Sequence, residues 1–415
     1  MYSEIKEHDP RIYDLIMQEE ARQSRCIRLI PSENYTSRAV REATGSCLTN
    51  KYAEGYPGKR YYEGQQVTDQ IEAIAIERAK EVFGADHACV QPYSGSVANV
   101  AAYTAFAEPG DTIMGLSLPY GGHLTHGWKV SVTGKFFKSV LYELDPETGR
   151  FDYDAIEAMA MECKPKILIS GATAYSREID FPRFAQIAKK VGAFHITDMA
   201  HIAGLIAGKV HISPIPHADV VTTTTHKSLR GPRGAMILCK EEHAAKINKA
   251  VFPGMQGGPH MHTISGIAVA LGEAGTPAFA EYAKQVVENA KALAAKLLTY
   301  GFDIVSGGTD NHLILIDLRN KGVLGKQLSK ALDKAGIVTN YNTIPNDPAK
   351  PFNPSGIRIG TPAVTTRGMK AEQMEMIAGF FNDVIENIED DAAIEKVGKR
   401  TEEFNEQFPV PDYFV

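Results

Sequence analysis

The chain has 415 residues, of which 44% are hydrophobic and 23% charged. That balance excludes a disordered, collagen-like or coiled-coil chain, and at roughly 150 residues per domain the length predicts two or three packed domains. Lys plus Arg (44) against Asp plus Glu (50) leaves a net charge of −6 with no basic cluster. The footprint of a nucleic-acid binder is therefore missing.

In chain order, the opening MYSEIKEHDPRIYDLIMQEE is charged throughout and lacks an apolar run ahead of a small-residue cleavage site. It predicts an amphipathic helix rather than a secretory signal. No apolar run approaches the roughly 20 residues of a membrane span. The 5 cysteines (Cys26, Cys47, Cys89, Cys163 and Cys239) are odd in number and form no C-x-x-C pair. They argue against a disulfide framework and a zinc site, and fit a reducing cytoplasm.

From about 67 to 250, helical and extended patterns alternate, predicting βα units and a mostly parallel sheet. Thr68 is placed as the cap of a helix whose Ile71, Ile74, Ala75, Ala79 and Val82 share one face, with Gly84 closing it. Strands are predicted at 87–90, 112–116, 139–144, 166–170, 194–197, 220–225 and 235–239, with helices at 97–107 and 184–191 closed by Gly110 and Gly192. The stretch Phe252-Pro253-Gly254-Met255-Gln256-Gly257-Gly258-Pro259 then breaks the rhythm. A domain of 1–275, comprising an N-terminal arm and the large sheet, is expected to be followed by a smaller α/β domain of 276–415. In the second, 313–318 and 357–360 read as strands, 324–335 and 369–388 as helices.

Three features fall at C-terminal ends of predicted strands, where open α/β sheets hold their ligands. Ser94-Gly95-Ser96 opens a helix, so its amides and hydroxyls suit one phosphate group; neither G-x-x-x-x-G-K-[ST] nor G-x-G-x-x-G occurs. Asp198 ends the fifth strand with His201 three residues on. The β-branched sixth strand runs into His226-Lys227-Ser228. Each has a plain reading alone, a helix cap or a solvated lysine. Together, a phosphate cup, a carboxylate and a lysine are the three handles that pyridoxal phosphate requires. The lysine forms a Schiff base with the aldehyde, the carboxylate keeps the pyridinium protonated, and the loop holds the phosphate. Burial and Arg233 are expected to lower the lysine's pKa.

Several separate motifs stand between about Leu29 and Arg367. They include Leu29-Ile30-Pro31-Ser32-Glu33-Asn34-Tyr35, Tyr52-Ala53-Glu54-Gly55-Tyr56-Pro57-Gly58-Lys59-Arg60-Tyr61-Tyr62, Gly121-Gly122-His123-Leu124-Thr125-His126-Gly127, Thr222-Thr223-Thr224-Thr225-His226-Lys227 and Ser355-Gly356-Ile357-Arg358-Ile359-Gly360-Thr361. Taken together they resemble the serine hydroxymethyltransferase family. The resemblance implies a pyridoxal-phosphate-dependent transferase of fold type I, aspartate-aminotransferase-like, and interconversion of serine and glycine with transfer of one carbon to tetrahydrofolate. It implies catalytic roles for Lys227, Glu54, His226 and Tyr62. It further implies cofactor contacts from Ser94, Gly95, Ser96, His123, Thr173, Asp198, His201 and, from the partner subunit of a homodimer, the loop equivalent to Gly257 and Gly258. Arg358 would grip the substrate carboxylate as a bidentate fork, with Ser32, Tyr52 and Tyr62 around it. Folate would lie near Leu118, Gly122, His123, Leu124, Asn342 and the Lys350-Pro351-Phe352 turn, with Glu54 between folate and amino acid.

Three positions depart from the usual family pattern: Thr173 where serine is common, Pro119-Tyr120 just before Gly121, and Glu63 where glycine is common. Two other chemistries share some of these residues. A metal centre on His123 and His126, or on His260 and His262, lacks a third ligand nearby in sequence. A folate-independent aldolase would share the cofactor residues but has no need of the folate-side segments.

Overall fold

The computed structural model describes residues 2–411, so Met1 and residues 412–415, which fall inside the expected domain ranges, lie outside the described residues. The N-terminal pattern folds as two helices, Ser3–His8 and Pro10–Arg25, because Asp9 accepts a hydrogen bond from the Ile12 amide and Pro10 starts the second helix.

Seven strands form the large sheet: β1 His87–Cys89, β2 Thr112–Leu116, β3 Lys138–Tyr142, β4 Ile167–Ser170, β5 Phe194–Asp198, β6 Val220–Thr224 and β7 Ala235–Cys239. Their order across the sheet is β1-β7-β6-β5-β4-β2-β3. β7 runs antiparallel to both of its neighbours, β1 and β6, and the remaining pairs are parallel. Both faces are covered, and alternate residues show it. On β4, Ile167 and Ile169 enter one core and Leu168 the other; on β7, Ala235, Ile237 and Cys239 oppose Met236 and Leu238. Each fully buried aliphatic side chain contributes about 1.5–3 kcal/mol, so the two cores fix the register that sets strand ends side by side.

The helix predicted from Thr68 is Gln66–Phe83, capped at its end by Gly84 in the left-handed region (φ 72°). Two details differ from expectation. Thr68 lies inside the first turn, its hydroxyl donating to Gln65, and Ile74 faces solvent while Glu72 is buried. The buried stripe is rotated because Glu72 finds a guanidinium and an amide within the protein.

A four-stranded antiparallel sheet, β8 Asp303–Ile304, β9 Leu313–Asp317, β10 Asn340–Asn342 and β11 Gly356–Gly360, is ordered β8-β9-β11-β10. Its core gathers Ile314, Ile316, Ile357 and Ile359 with Leu328, Phe381 and Phe404. Ile27 and Leu29 belong to this same core, and Ile27–Arg28 pairs in parallel with Ile337–Val338. The helix Pro277–Thr299 joins the two bodies: Phe279 packs in the large-sheet core, Leu293 and Leu297 in the other. Among the described residues no helix is long and apolar enough to cross a membrane, and all five cysteines are free thiols.

Candidate active site

The ends of β5 and β6 bring the first group together. Asp198 is the last residue of β5 and pairs in register with Thr222 of β6. Its Oδ2 accepts from Asn99 Nδ2 (2.8 Å) and from His126 Nε2 (3.1 Å), and its Oδ1 accepts from the Ala200 amide (3.0 Å). His126 Nδ1 accepts from the His123 amide (3.2 Å), so the other ring nitrogen carries the proton that points at Asp198. Burial alone would raise the Asp198 carboxyl, but the hydrogen bond from His126 and the nearby His126, His123 and Lys227 carry it well below the usual carboxylate range. Asp198 is thus a persistent anion beneath the sheet edge.

Lys227 follows β6 by a tight turn, in which the Gly231 amide donates to the Thr225 carbonyl (2.7 Å) and the Arg230 amide to the Lys227 carbonyl (3.1 Å). Asn34, from the Leu29-to-Tyr35 motif, donates to the same Lys227 carbonyl (3.2 Å) and accepts from Thr366. Only 9% of Lys227 is exposed. Burial lowers its pKa to about 8, helped by the Arg358 and Arg233 cations and opposed by Asp198. Its amine has no hydrogen-bond partner among the described residues, and at that pKa a useful fraction is neutral and nucleophilic near pH 7.

Arg358 reaches the site from the smaller sheet by alternation. Ile357 and Ile359 point into the core, so Arg358 points the other way, where Nη1 donates to the Thr173 carbonyl (2.5 Å) and Nε to Asn340 Oδ1 (3.2 Å). Burial lowers its pKa to about 10. Nη2 makes no hydrogen bond among the described residues. Thr173 donates to the Gly121 and Gly122 carbonyls (3.2 and 3.0 Å), tying its loop to the glycine pair. Gly122 allows no side chain, since a Cβ there would lie 1.9 Å from the Leu116 carbonyl oxygen.

Four histidines line the group in the neutral state. Burial takes His123 to about 4, His312 and His226 to about 3, and His201 well below its ordinary value. His201 and His312 stack at 5.6 Å with Nδ1 and Nε2 3.4 Å apart. Sequence reasoning placed His201 and His123 but missed His312, a partner 111 residues away from His201. It also missed His126 and Asn99 as the holders of Asp198.

The expected phosphate cup, Ser94 to Ser96, lies at the start of a helix. Ser94 caps the helix Gly95–Thr104, and the Gly95 and Ser96 amides make no backbone hydrogen bond among the described residues. A Cβ on Gly95 would meet Thr224 Cγ2 at 2.7 Å. The Thr224 hydroxyl is buried there without a partner among the described residues, as is His226 Nδ1. An unpartnered buried hydroxyl, free first-turn amides, a low-pKa lysine and a held carboxylate fit the phosphate, aldehyde and ring nitrogen of pyridoxal phosphate.

The metal alternative changes in one respect. The third ligand missing beside His123 and His126 in sequence is supplied in space by Asp198, and the three lie within 4.8 Å. His126 and Asp198 are, however, already bonded to each other, and His123 Nδ1 accepts from the Thr125 amide (3.2 Å). His260 and His262 stack on one another, and His260 also stacks on Tyr93 at 4.1 Å.

A second group stands apart. Glu54 accepts from Tyr62 (2.7 Å) and Tyr52 (3.3 Å), and both rings are exposed. Gly257 and Gly258 pack against this pair: a Cβ on the first would meet Glu54 Oε1 at 3.2 Å, on the second the Tyr52 ring at 3.2 Å. Among the described residues Glu54 makes no hydrogen bond or ion pair with Lys227, Asp198 or Arg358; its partners are Tyr52 and Tyr62. Ser32 lies instead with His226 and Arg233 along a cleft of about 580 Å³.

The residues expected on the folate side come from two segments that meet. Leu118, Gly122 and Leu124 lie on one, Asn342 and Lys350-Pro351-Phe352 on the other, and Tyr120 Oη donates to Asn346 Oδ1 (2.8 Å) between them. Leu124 and Phe352 are exposed, and Lys350 sits 5.9 Å over the Phe352 ring.

Comparison with known proteins settles the family. The model of a family described as serine hydroxymethyltransferase matches residues 5–381. The chain belongs to the serine hydroxymethyltransferase family. It is 60% identical to the serine hydroxymethyltransferase of Desulfotalea psychrophila over 407 residues, covering 98% of this chain and 96% of that protein. It is 59% identical to that of Acidothermus cellulolyticus (97% and 96% covered) and 54% identical to serine hydroxymethyltransferase 3 of Pseudomonas fluorescens (98% and 98%). As a serine hydroxymethyltransferase family member, it has the expected fold type I, with a large mostly parallel sheet and helices on both faces.

Proposed function

We propose that the protein is a pyridoxal-phosphate-dependent serine hydroxymethyltransferase. It interconverts L-serine and glycine reversibly and transfers the one-carbon unit to tetrahydrofolate, giving 5,10-methylenetetrahydrofolate. The observation that carries this reading is Lys227: buried at a strand end, unpaired, lowered to about 8, and flanked by a held carboxylate and an arginine with a free guanidinium nitrogen.

Lys227 would hold the cofactor through its amine. Ser94, Gly95, Ser96 and Thr224 would hold the phosphate, with His123, Thr173 and His201 beside the ring. Asp198, kept ionised by His126 and Asn99, would keep a proton on the ring nitrogen. Arg358 takes the substrate carboxylate on Nη2 and a rotated Nη1, with Ser32, Tyr52 and Tyr62 around it. When bound, pyridoxal phosphate supplies an electron-withdrawing ring that takes up the pair released when a bond to the substrate α-carbon breaks. Glu54 passes protons between folate and amino acid beside Tyr62, while His226 borders the lysine.

The working unit of this reading is a homodimer. Tyr52, Tyr61 and Tyr62 are exposed around Glu54, and a neighbouring subunit's site would bury them, bringing Gly257 and Gly258 to its phosphate. The five free thiols suit a cytoplasmic enzyme. The chain divides near 275 into a large cofactor-binding domain and a smaller C-terminal α/β domain, with the residues before about 30 packing on the latter.

Serine-to-glycine turnover of the cofactor-loaded protein, measured with and without tetrahydrofolate, tests the reading. Glycine formation that depends on tetrahydrofolate is expected. Equal turnover in its absence would identify a folate-independent aldolase instead.

A further inference from the structure

Beneath the exposed Glu54 loop lies a buried polar network that the proposed chemistry does not use. Arg60 is 3% exposed and Glu72 1% at the side chain, and they pair at 2.6 Å between Nη2 and Oε2. Arg60 Nη1 donates to the carbonyls of Ala53 (2.8 Å) and Gly55 (2.9 Å), the two residues that flank Glu54. Arg60 Nε donates to Asp69 Oδ1 (2.9 Å), whose other oxygen accepts from the Gly58 amide (2.9 Å). Gln91 Nε2 completes the set, donating to Gly55 O (2.9 Å) and Glu72 Oε1 (2.7 Å). Farther along the loop, the Tyr61 amide donates to Glu54 O (3.1 Å) and Gln65 Nε2 to Tyr52 O (3.0 Å). Every carbonyl from 52 to 55 is therefore held, while the Glu54 carboxylate is left to its two tyrosines.

A buried ion pair is a poor device for stability, because desolvation offsets most of the attraction and an apolar pair of similar volume does as well. What it supplies is geometry. The planar fork of Arg60 meets two carbonyls and two carboxylates at fixed angles, which pins the backbone on both sides of one residue. We infer that Arg60, anchored by Glu72, is a positioning residue for hydroxymethyl transfer, setting where the Glu54 carboxylate stands. The inference rests on the reading of Glu54 as the proton-passing group.

Arg60→Lys is the test, since lysine keeps a charge beside Glu72 but its compact ammonium does not span both carbonyls and both carboxylates. In the cofactor-loaded enzyme, kcat for folate-dependent serine cleavage is expected to fall on the order of 10–100-fold, the cost of misplacing a catalytic group by about 1 Å. The KM for serine should stay within about twofold, as should folate-independent cleavage of allo-threonine. Amide hydrogen exchange should quicken over residues 53–61 and not elsewhere. Adding Glu54→Gln to Arg60→Lys should cost nothing beyond Glu54→Gln alone. A parallel fall of both reactions, an additive double variant or an unchanged kcat would overturn the inference. If Arg60→Lys does not fold, as judged by thermal unfolding, Glu72→Gln, which keeps the shape but removes the charge that anchors Arg60, carries the same comparison. If Glu54→Gln by itself spares the folate-dependent reaction, the reading of Glu54 falls, whatever Arg60→Lys does.

Discussion

The Lys227 group and the Glu54 group differ in how they are built. The first sits on strand ends, is closed by two sheets, and has its charges set by burial: Lys227 lowered, Asp198 held ionised, four histidines neutral. The second is a loop with a rigid floor and an open face, its tyrosines exposed and its carboxylate bonded to them. A preorganised interior suits a tightly held cofactor, whereas an open lip suits a co-substrate that comes and goes.

The largest expected effect separates the two groups. Lys227→Ala should abolish serine and allo-threonine cleavage alike, while Glu54→Gln should cut folate-dependent serine cleavage steeply and leave allo-threonine cleavage within a few-fold. If the loop of one subunit serves the interior of its partner, mixing the two inactive proteins should restore activity in heterodimers, each holding one intact site. Parallel losses and no recovery on mixing would place both groups in a single site of one chain.

A middle-sized effect sharpens the interior's side of the comparison. Arg358→Lys keeps the charge but loses the parallel pair of hydrogen bonds to a carboxylate, worth about 1.5–3 kcal/mol. The KM for serine should rise roughly ten- to a hundredfold in steady-state assays. An unchanged KM would make Arg358 a tie between the two sheets through Thr173 and nothing more.

The smallest effect is a shift in a pH profile. The neutral amine is the nucleophile, so addition of pyridoxal phosphate to the cofactor-free protein should speed up as pH rises through about 8, where burial has placed Lys227. Removing a neighbouring cation with Arg233→Ala should move that midpoint upward, because the cation favours the neutral form. The rate of absorbance change at a series of pH values reads both. A midpoint near the ordinary lysine value of 10.5 would mean that the interior is wetter than its burial indicates.

Local pattern carried the large sheet. The strands at 112–116 and 235–239 match to the residue, and the others within two, because each is a β-branched or apolar run bounded by turn residues. Strand ends in turn gave the places of Ser94, Asp198 and Lys227, since a parallel sheet puts successive ends on one edge. The short strands were not legible: Asn340–Asn342 is polar, and Asp303–Ile304 has two residues. Their extended form comes from pairing with Gly356–Gly360 and Leu313–Asp317, not from their own composition.

The amino-acid sequence by itself determined which residue types stand at the strand ends, and hence that a lysine, a carboxylate and a phosphate cup share one edge. Only the tertiary structure decided what holds them. His126 meets Asp198 across 72 residues, Asn99 meets it across 99, and Asn34 reaches the Lys227 carbonyl across 193. It also decided that Glu72, which helical spacing would send to solvent, is buried beneath the Glu54 loop while Ile74 is not. Periodicity reports which face of an element is apolar, but a buried charge is stable only where a partner of opposite sign and fitting geometry is delivered by another part of the chain.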